Sequence, residues 1–424
     1  MLTVVATAFE ALAVATVLPI TLHELGGLPF YGWTFSAFML ANLVGICLGA
    51  SGHLVRSFGV GAALFCAGLA ISGFAPSMQV IVAGRLLQGF GAGLLSTVAY
   101  AAIAQAYVVG LQPRMLATLS SAWVVPGLVG PGLAGVVAQH ASWRWVFLGL
   151  IPLLLLAAGL VLPALRALPY AAERERGGRV GLSIQLGLGA AAALAGLGLQ
   201  RWPVAIGLVA AGGSVAVRAL TRLLPAGTLL ARPGLPAAVA SMALITFAFF
   251  GAEAFLPLAL QDVRHAPVTL SGLTLTAAAL TWTAGAWLPV RLEGRVSQRQ
   301  IIHAGLAILG LGLLATLALL EPRVPTWCAV LAWGVSGFGM GLAFTTTSAA
   351  ILAAATPGEA GLASSSLQLA QTLGAALATG AGGAVVAAPF AGNPPTHGIA
   401  YVDGIMLAAT ALAAYAARGI TSRA

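Results

Sequence analysis

Three charged side chains stand alone inside long apolar runs, and they are the first candidates for chemistry. Glu10 interrupts FEALAVATVLP (9–19), Arg85 opens RLLQGFGAG (85–93), and Glu253 sits in FFGAEAFLP (249–257). An ionisable group near the centre of a bilayer costs about 2.5–3.5 kcal/mol on insertion scales, so one that persists there is a functional candidate by default. Desolvation favours the neutral acid, whereas a nearby guanidinium favours the carboxylate. A carboxyl balanced between these effects can take up and release a proton near neutrality. Arginine keeps its proton throughout, so Arg85 is the fixed charge that would tune Glu10, the expected proton carrier. The competing reading is a static ion pair that only locks helices together. Glu253 is open to three roles: a second proton site, a counter-charge for a cationic ligand, or a static charge.

Uncharged candidates are weaker. Asn42, Gln88, Gln368 and Gln371 lie at similar depth and could line a cavity, or act as polar glue between helices. Trp123, Trp282 and Trp333 could stack on a ligand or simply pack, and Trp33 reads as an interfacial anchor. Glu24, Asp262, Glu321 and Asp403 fall at the ends of apolar runs and are expected to be solvated. Glu359 stands at a helix start, where negative charge suits the helix dipole. Cys47, Cys66 and Cys328 have neither disulfide pattern nor metal-ligand spacing. The histidines form no ligand pair, and no Ser-His-Asp arrangement or phosphate loop stands in a plausible context. Enzymatic catalysis, a metal and a bound cofactor are therefore not expected.

The elements that carry these residues follow from composition. Of 424 residues 60% are hydrophobic and 7% charged, against about 25% charged in a soluble domain. A basic excess on so apolar a chain cannot form a nucleic-acid-binding face, so no nucleic acid is expected; the partner is the lipid bilayer. About 20 helical residues cross its hydrocarbon core. Apolar runs of that kind fall at 2–22, 32–51, 60–76, 78–107, 116–138 and 145–163, then 182–199 and 203–220, then 236–259, 269–289, 301–320, 326–354, 361–387 and 399–417. The fold class is an all-α membrane protein with fourteen transmembrane helices, arranged as six, two and six. The central pair is the least secure. The corresponding units are 1–165, a linker at 166–181, two additional helices at 182–223, and 236–418. The first run lacks a basic n-region and is read as a retained helix.

The arginines test that count. With the N-terminus inside, Arg56, Arg114, Arg166, Arg174, Arg176, Arg179, Arg218, Arg222, Arg232, Arg291, Arg295, Arg299, Arg418 and Arg423 all fall on cytoplasmic segments. Only Arg144, Arg201, Arg264 and Arg323 fall outside. This is the bias of the positive-inside rule, with both termini cytoplasmic. The halves also repeat: GFGAGL (89–94) matches GFGMGL (337–342) at an offset of 248, and LATLSS (116–121) has a looser echo in LASSSL (362–367). Two related bundles around a midplane cavity is a common transporter plan.

Several motifs give the chain a resemblance to the major facilitator superfamily, in particular its fourteen-span drug:proton antiporter branch. RLLQGFGAG (85–93) resembles the fourth-helix motif with its embedded arginine. VVPGLVGPGLAG (124–135), with Gly127, Gly130, Pro131 and Gly135, resembles the fifth-helix antiporter motif. FEALAVATVLP (9–19) resembles the first-helix motif, and WRWVFLGLIP (143–152) the entry to the sixth helix. The loop at 52–59, GHLVRSFG, departs from the family's G-x-L-x-D-R-x-G. Its Gly52 and Gly59 are in place, but Arg56 stands where the acid of a cytoplasmic latch belongs. The resemblance implies a major-facilitator fold and a secondary transporter of the inner cell membrane. It would export hydrophobic or amphiphilic small molecules, cations among them, as a monomer driven by the proton gradient. Uptake or facilitated diffusion, lipid transport, and a non-transporting receptor or scaffold are the alternatives.

Overall fold

The computed structural model describes residues 2–49, 54–108, 124–167, 177–199, 201–292, 295–354 and 360–420, with single positions between 111 and 122. The first half contains α1 (Leu2–Leu25), α2 (Tyr31–Gly49), α3 (Leu54–Gly73), α4 (Met78–Ala106), α5 (Val124–His140) and α6 (Leu150–Arg166). Next come α7 (Gly177–Leu197) and α8 (Trp202–Leu223). The second half contains α9 (Leu235–Leu258), α10 (Val268–Leu292), α11 (Gln298–Ala318), α12 (Cys328–Ala353), α13 (Ala360–Val386) and α14 (Thr396–Ala417). Among the described residues there is no strand, as expected where each backbone amide must be satisfied within its own segment.

Among the described residues thirteen spans are long and apolar enough to cross a membrane, the sixth counted with the short helix that precedes α6. The remaining one, α5, has 17 described residues; most of the expected span before Val124 lies outside the described residues. The sixth span is broken, with a short helix at Arg144–Leu148 before α6. The central pair proves longer than its composition suggested, at 21 and 22 residues. α7 begins at Gly177, inside the stretch expected as linker.

Lipid tails are as apolar as leucine, so helices in a bilayer associate through close packing and polar contacts. The repeated glycines supply the packing, twice over. A Cβ at Gly89 would lie 2.1 Å from the Phe38 carbonyl oxygen, and one at Gly337 2.3 Å from that of Ala278. A Cβ at Gly93 would likewise strike the Asn42 carbonyl, and one at Gly341 that of Trp282. Gly91 meets the Gly61 carbonyl at 2.5 Å as Gly339 meets that of Gly305 at 2.6 Å. Thus α4 is clamped between α2 and α3 just as α12 is clamped between α10 and α11.

The C-terminal ends of α1 and α9 lie together, where Thr16 and His23 meet Gln261 and Asp262, and the start of α9 meets the end of α14, where Gly234 donates to the Gly419 carbonyl. The start of α1 and the end of α14 therefore share one end of the bundle, the terminal face; the opposite end is the distal face. Polar side chains organise the distal face more than their positions suggested. Glu24 accepts from Trp143 Nε1 at 2.6 Å and from Arg144 at 2.5 Å, and the guanidinium of Arg144 covers the Trp143 ring. Glu24 is exposed, as expected of an end group, and the WRW motif also ties it to the entry of the sixth span. Arg264 donates to the carbonyls of Leu319, Glu321, Pro322 and Val324, pinning the turn that follows α11. Asp262 is 12% exposed and lies 3.0 Å from His23, and Asp403 is 6% exposed inside α14. Neither is the solvated end group that its place in the sequence suggested. Asp403 is packed among neighbouring helices because α14 begins at Thr396, a full two turns before it.

The glycine clamps make a direct prediction. Gly89→Val should lower stability in detergent by at least the ~1–3 kcal/mol typical of overpacking, because backbone oxygen cannot move aside. Gly132→Ala, whose Cβ would meet nothing within 4 Å, should leave the thermal midpoint unchanged.

Candidate functional site

The clamp between α2 and α4 fixes the place where charge collects. One turn before Gly89, α4 carries Arg85, 2% exposed, and α1 brings Glu10, fully buried, to meet it. Arg85 Nη1 donates to Glu10 Oε1 in a direct ion pair. The same nitrogen donates to Gln88 Oε1 at 2.7 Å, and Nε donates to the Thr34 carbonyl at 2.9 Å. Gln88 Nε2 passes the chain on to Ser72 Oγ at 3.1 Å. The guanidinium carbon also lies 4.2 Å from the centre of the Phe38 ring, a favourable cation–π distance.

The two oxygens of Glu10 are not equivalent. Oε1 holds the guanidinium, whereas Oε2 is buried with no hydrogen-bond partner among the described residues. Arg85 does not depend on Glu10 for its position, because Thr34, Gln88 and Phe38 hold it from α2 and α4. A proton added at Oε2 would therefore neutralise the acid without releasing the arginine.

Other candidate residues separate into groups. Gln88 belongs to this charge network and is fully buried. It is therefore not a cavity-lining group; its i+3 spacing from Arg85 was the available signal. Asn42 donates to the Gly89 carbonyl at 3.4 Å, a contact between α2 and α4. Gln368 and Gln371 are half-buried on α13 and have no hydrogen-bond partner among the described residues. Glu253 is not brought to the Glu10–Arg85 pair. It is half-buried on α9, with no hydrogen bond or ion pair among the described residues. Trp282 packs edge-on to Phe249 at 5.3 Å between ring centres. Trp123 and Gly52 lie outside the described residues. Arg56 is exposed in the first turn of α3, and Gly59 has open space where a Cβ would stand.

The glycines of the Gly-Pro motif on α5 pack unevenly. A Cβ at Gly127 would approach Ala279 at 3.2 Å and one at Gly135 the Val268 carbonyl at 3.3 Å, both tight. Gly130 would make only ordinary contact with Phe9 at 3.5 Å, and Gly132 none. The closest approach comes from the partner helix, where a Cβ at Gly272 would stand 2.5 Å from the Pro131 carbonyl. Nothing in the sequence around Gly272 marked it.

Between the described residues, a set of polar contacts joins the two halves toward the distal face. Gln261, on a π-helical turn at Ala259–Val263, donates to the Thr16 carbonyl and to Ser271 Oγ, both at 3.1 Å. Tyr31 donates to the Ala254 carbonyl at 3.1 Å, and Ser36 to that of Ala376 at 2.8 Å. His23 faces Asp262 at the same end. Such turns often re-aim a side chain at functional positions, and here one brings Gln261 to the seam.

Two packed halves of membrane-spanning helices, with a buried ion pair in one half and a polar seam between them, define a multi-pass membrane transporter. The sequence profile of the Major Facilitator Superfamily matches residues 1–379, and the chain belongs to that family. A probable multidrug-efflux transporter of Mycobacterium tuberculosis is 29% identical over 423 residues, covering 94% of this chain and 88% of the relative. Among solved structures, a bacterial homologue of the human lysosomal transporter Spinster, inward-facing and unoccupied, superposes with a TM-score of 0.69. It is 14% identical, with 99% of this chain and 96% of that one covered. The xylose transporter of E. coli, partially occluded and inward-open, gives 0.63 at 13% identity over 96% and 94% of the two chains. At these identities the structures establish the fold alone.

The buried pair can be tested by a double-mutant cycle. Arg85→Gln leaves the Glu10 carboxylate without its cation and should cost about 3–5 kcal/mol. Adding Glu10→Gln should recover more than half of that loss in thermal unfolding. Additive losses would show that the two residues are not coupled.

Proposed function

We propose that the chain is a proton-coupled antiporter that exports hydrophobic or amphiphilic small molecules, cations among them, by alternating access. The observation that carries this reading is the bare Oε2 of Glu10 beside an arginine held independently of it. Ionised, Glu10 is tied to Arg85 across α1 and α4. Protonated at Oε2, it no longer holds the cation by charge. A ligand or proton shifts a two-state equilibrium only through its different interaction with the two states. Proton uptake here changes the charge between α1, which touches both halves, and α4, which is clamped within one. That difference is the proposed coupling between protonation and the arrangement of the halves.

The energy source is the proton gradient, with no cofactor, and the working unit is a monomer in the cell membrane. The arginine bias supports placing both termini in the cytoplasm, which makes the distal seam the external closure. Export is favoured by the similarity to a probable multidrug-efflux transporter. In this reading Gly127, Gly130, Pro131 and Gly135 keep α5 close to α10 against leak, and Arg56 replaces the usual acid of the cytoplasmic latch. Gln368 and Gln371 are the uncharged groups best placed to meet a substrate, since neither is engaged within the described protein.

Purified protein in liposomes with an imposed pH gradient tests the coupling. Glu10→Gln should remain folded and lose gradient-driven transport by at least tenfold, while gradient-free exchange of substrate continues. Full gradient-driven transport by that variant would leave Glu10–Arg85 as a static lock and refute the proposed coupling.

A further inference from the structure

The polar seam at the distal face contains a pair that can change its charge. His23 Nε2 lies 3.0 Å from Asp262 Oδ1, with the histidine side chain 65% exposed and the aspartate 12% exposed. The other ion pairs among the described residues, Glu10–Arg85 and Glu24–Arg144, each lie within the first half. His23–Asp262 joins the halves, since α1 belongs to one and the π-helical turn at Ala259–Val263 to the other. Beside it, Gln261 on the Thr16 carbonyl and Tyr31 on that of Ala254 hold the seam by hydrogen bonds between uncharged groups.

Each partner stands next to a residue that anchors it in its own half. Glu24, adjacent to His23, is tied to Trp143 and Arg144, and a Cβ at Gly27 would lie 3.1 Å from Met78. Two residues after Asp262, Arg264 is spent on the carbonyls of the turn that follows α11. The pair therefore connects two fixed pieces, and parting the halves at this end must break it. His265, three residues on, and the buried Tyr31 of α2 are within reach of the Asp262 charge. Asp403 belongs to α14, which touches the same turn. On the His23 side, Glu24 and Arg144 offset each other.

A carboxylate only accepts hydrogen bonds, so Nε2 carries a hydrogen in both forms of the ring. Loss of the other proton, at Nδ1, leaves the hydrogen bond but removes the attraction between opposite charges. Histidine is the side chain that makes this change between about pH 5 and 8. The closed arrangement thus binds that proton more tightly than the open one, and by linkage acid favours closure until Asp262 itself is protonated.

We propose that His23 and Asp262 form a proton-operated latch on the distal face, tightened by acid on that side and loosened by base. Its sign is opposite to that of the Glu10 site, where a proton removes an ionic tie. The compartment it senses rests on the exporter reading: with cytoplasmic termini it is the external medium, so external acid restrains opening on the side from which the driving proton enters.

Spin labels at Ala141→Cys and Arg323→Cys, exposed on distal turns of opposite halves, report opening in reconstituted protein with Cys47, Cys66 and Cys328 replaced by alanine. The background is Glu10→Gln, which silences the first proton site. Going from about pH 8 to about pH 6 should raise the closed-to-open ratio about threefold, within the range of a partly exposed ion pair. His23→Gln and Asp262→Asn should each abolish the response and leave the more open ratio at both pH values. His23→Arg should abolish it and leave the more closed ratio. A response unchanged in His23→Gln, or acid that favours opening, would overturn the latch. Should Asp262→Asn not fold, the two variants at the exposed His23 decide the question. A response seen only with Glu10 intact would sink the latch and retain the proton couple. One that survives Glu10→Gln but not His23→Gln would retain the latch even in a protein that moves no protons.

Discussion

Helices in a bilayer gain little from hiding apolar side chains from one another, because the lipid is equally apolar. What holds this bundle in register is the close approach of backbones, made possible where glycine removes the Cβ that would otherwise strike a carbonyl oxygen. The clamp of α4 between α2 and α3, and its copy of α12 between α10 and α11, places one helix of each half to within a fraction of a turn. The charge network depends on that precision. Arg85 reaches the Thr34 carbonyl and the Phe38 ring on α2 only because Gly89, one turn away, lets the two backbones meet.

A duplicated scaffold need not carry duplicated chemistry. The repeat preserves the glycines and their facing carbonyls while exchanging Arg85 for Trp333. In one half the equivalent position supports an ion pair with three further restraints on the arginine; in the other it supports a ring stacked on Phe249. Acid and cation are therefore matched inside the first half, whereas Glu253 and Asp403 of the second half have no ion-pair partner among the described residues. The two halves thus share a scaffold while differing in the residue types that it positions.

The sequence discloses what its physics makes expensive. Long apolar runs disclose spans, and a charge within such a run discloses a site, which is why Glu10 and Arg85 could be paired before any coordinates. The repeated GFGAGL and GFGMGL stretches disclosed the two clamps. Gly272 was not legible, because a single glycine among Ser271 and Leu273 acquires meaning only when Pro131 of a distant helix packs against it. Asp403 and Asp262 were misread for a related reason: their distance from the ends of their runs says nothing about neighbours contributed by other helices. Gln88 was recognised as polar and deep, but its engagement with both Arg85 and Ser72 required the crossing of α3 and α4. The π-helical turn that aims Gln261 at Thr16 leaves no composition signature at all.

The additional helices break the lateral symmetry of the molecule. α7 lies against α2 through Gly187, and Gly380 of α13 packs on Leu194, so one helix spans the groove between the halves on that flank. α8 packs on α7 from outside and turns much of its surface outward. On the opposite flank, α5 and α10 meet directly with no third helix across them. Any rocking of the halves must then either carry α7 with one bundle and slide it along the other, or turn about the flank that α7 spans. The flank that α7 spans is held by a helix seated on both halves, whereas the other is held where α5 packs on α10.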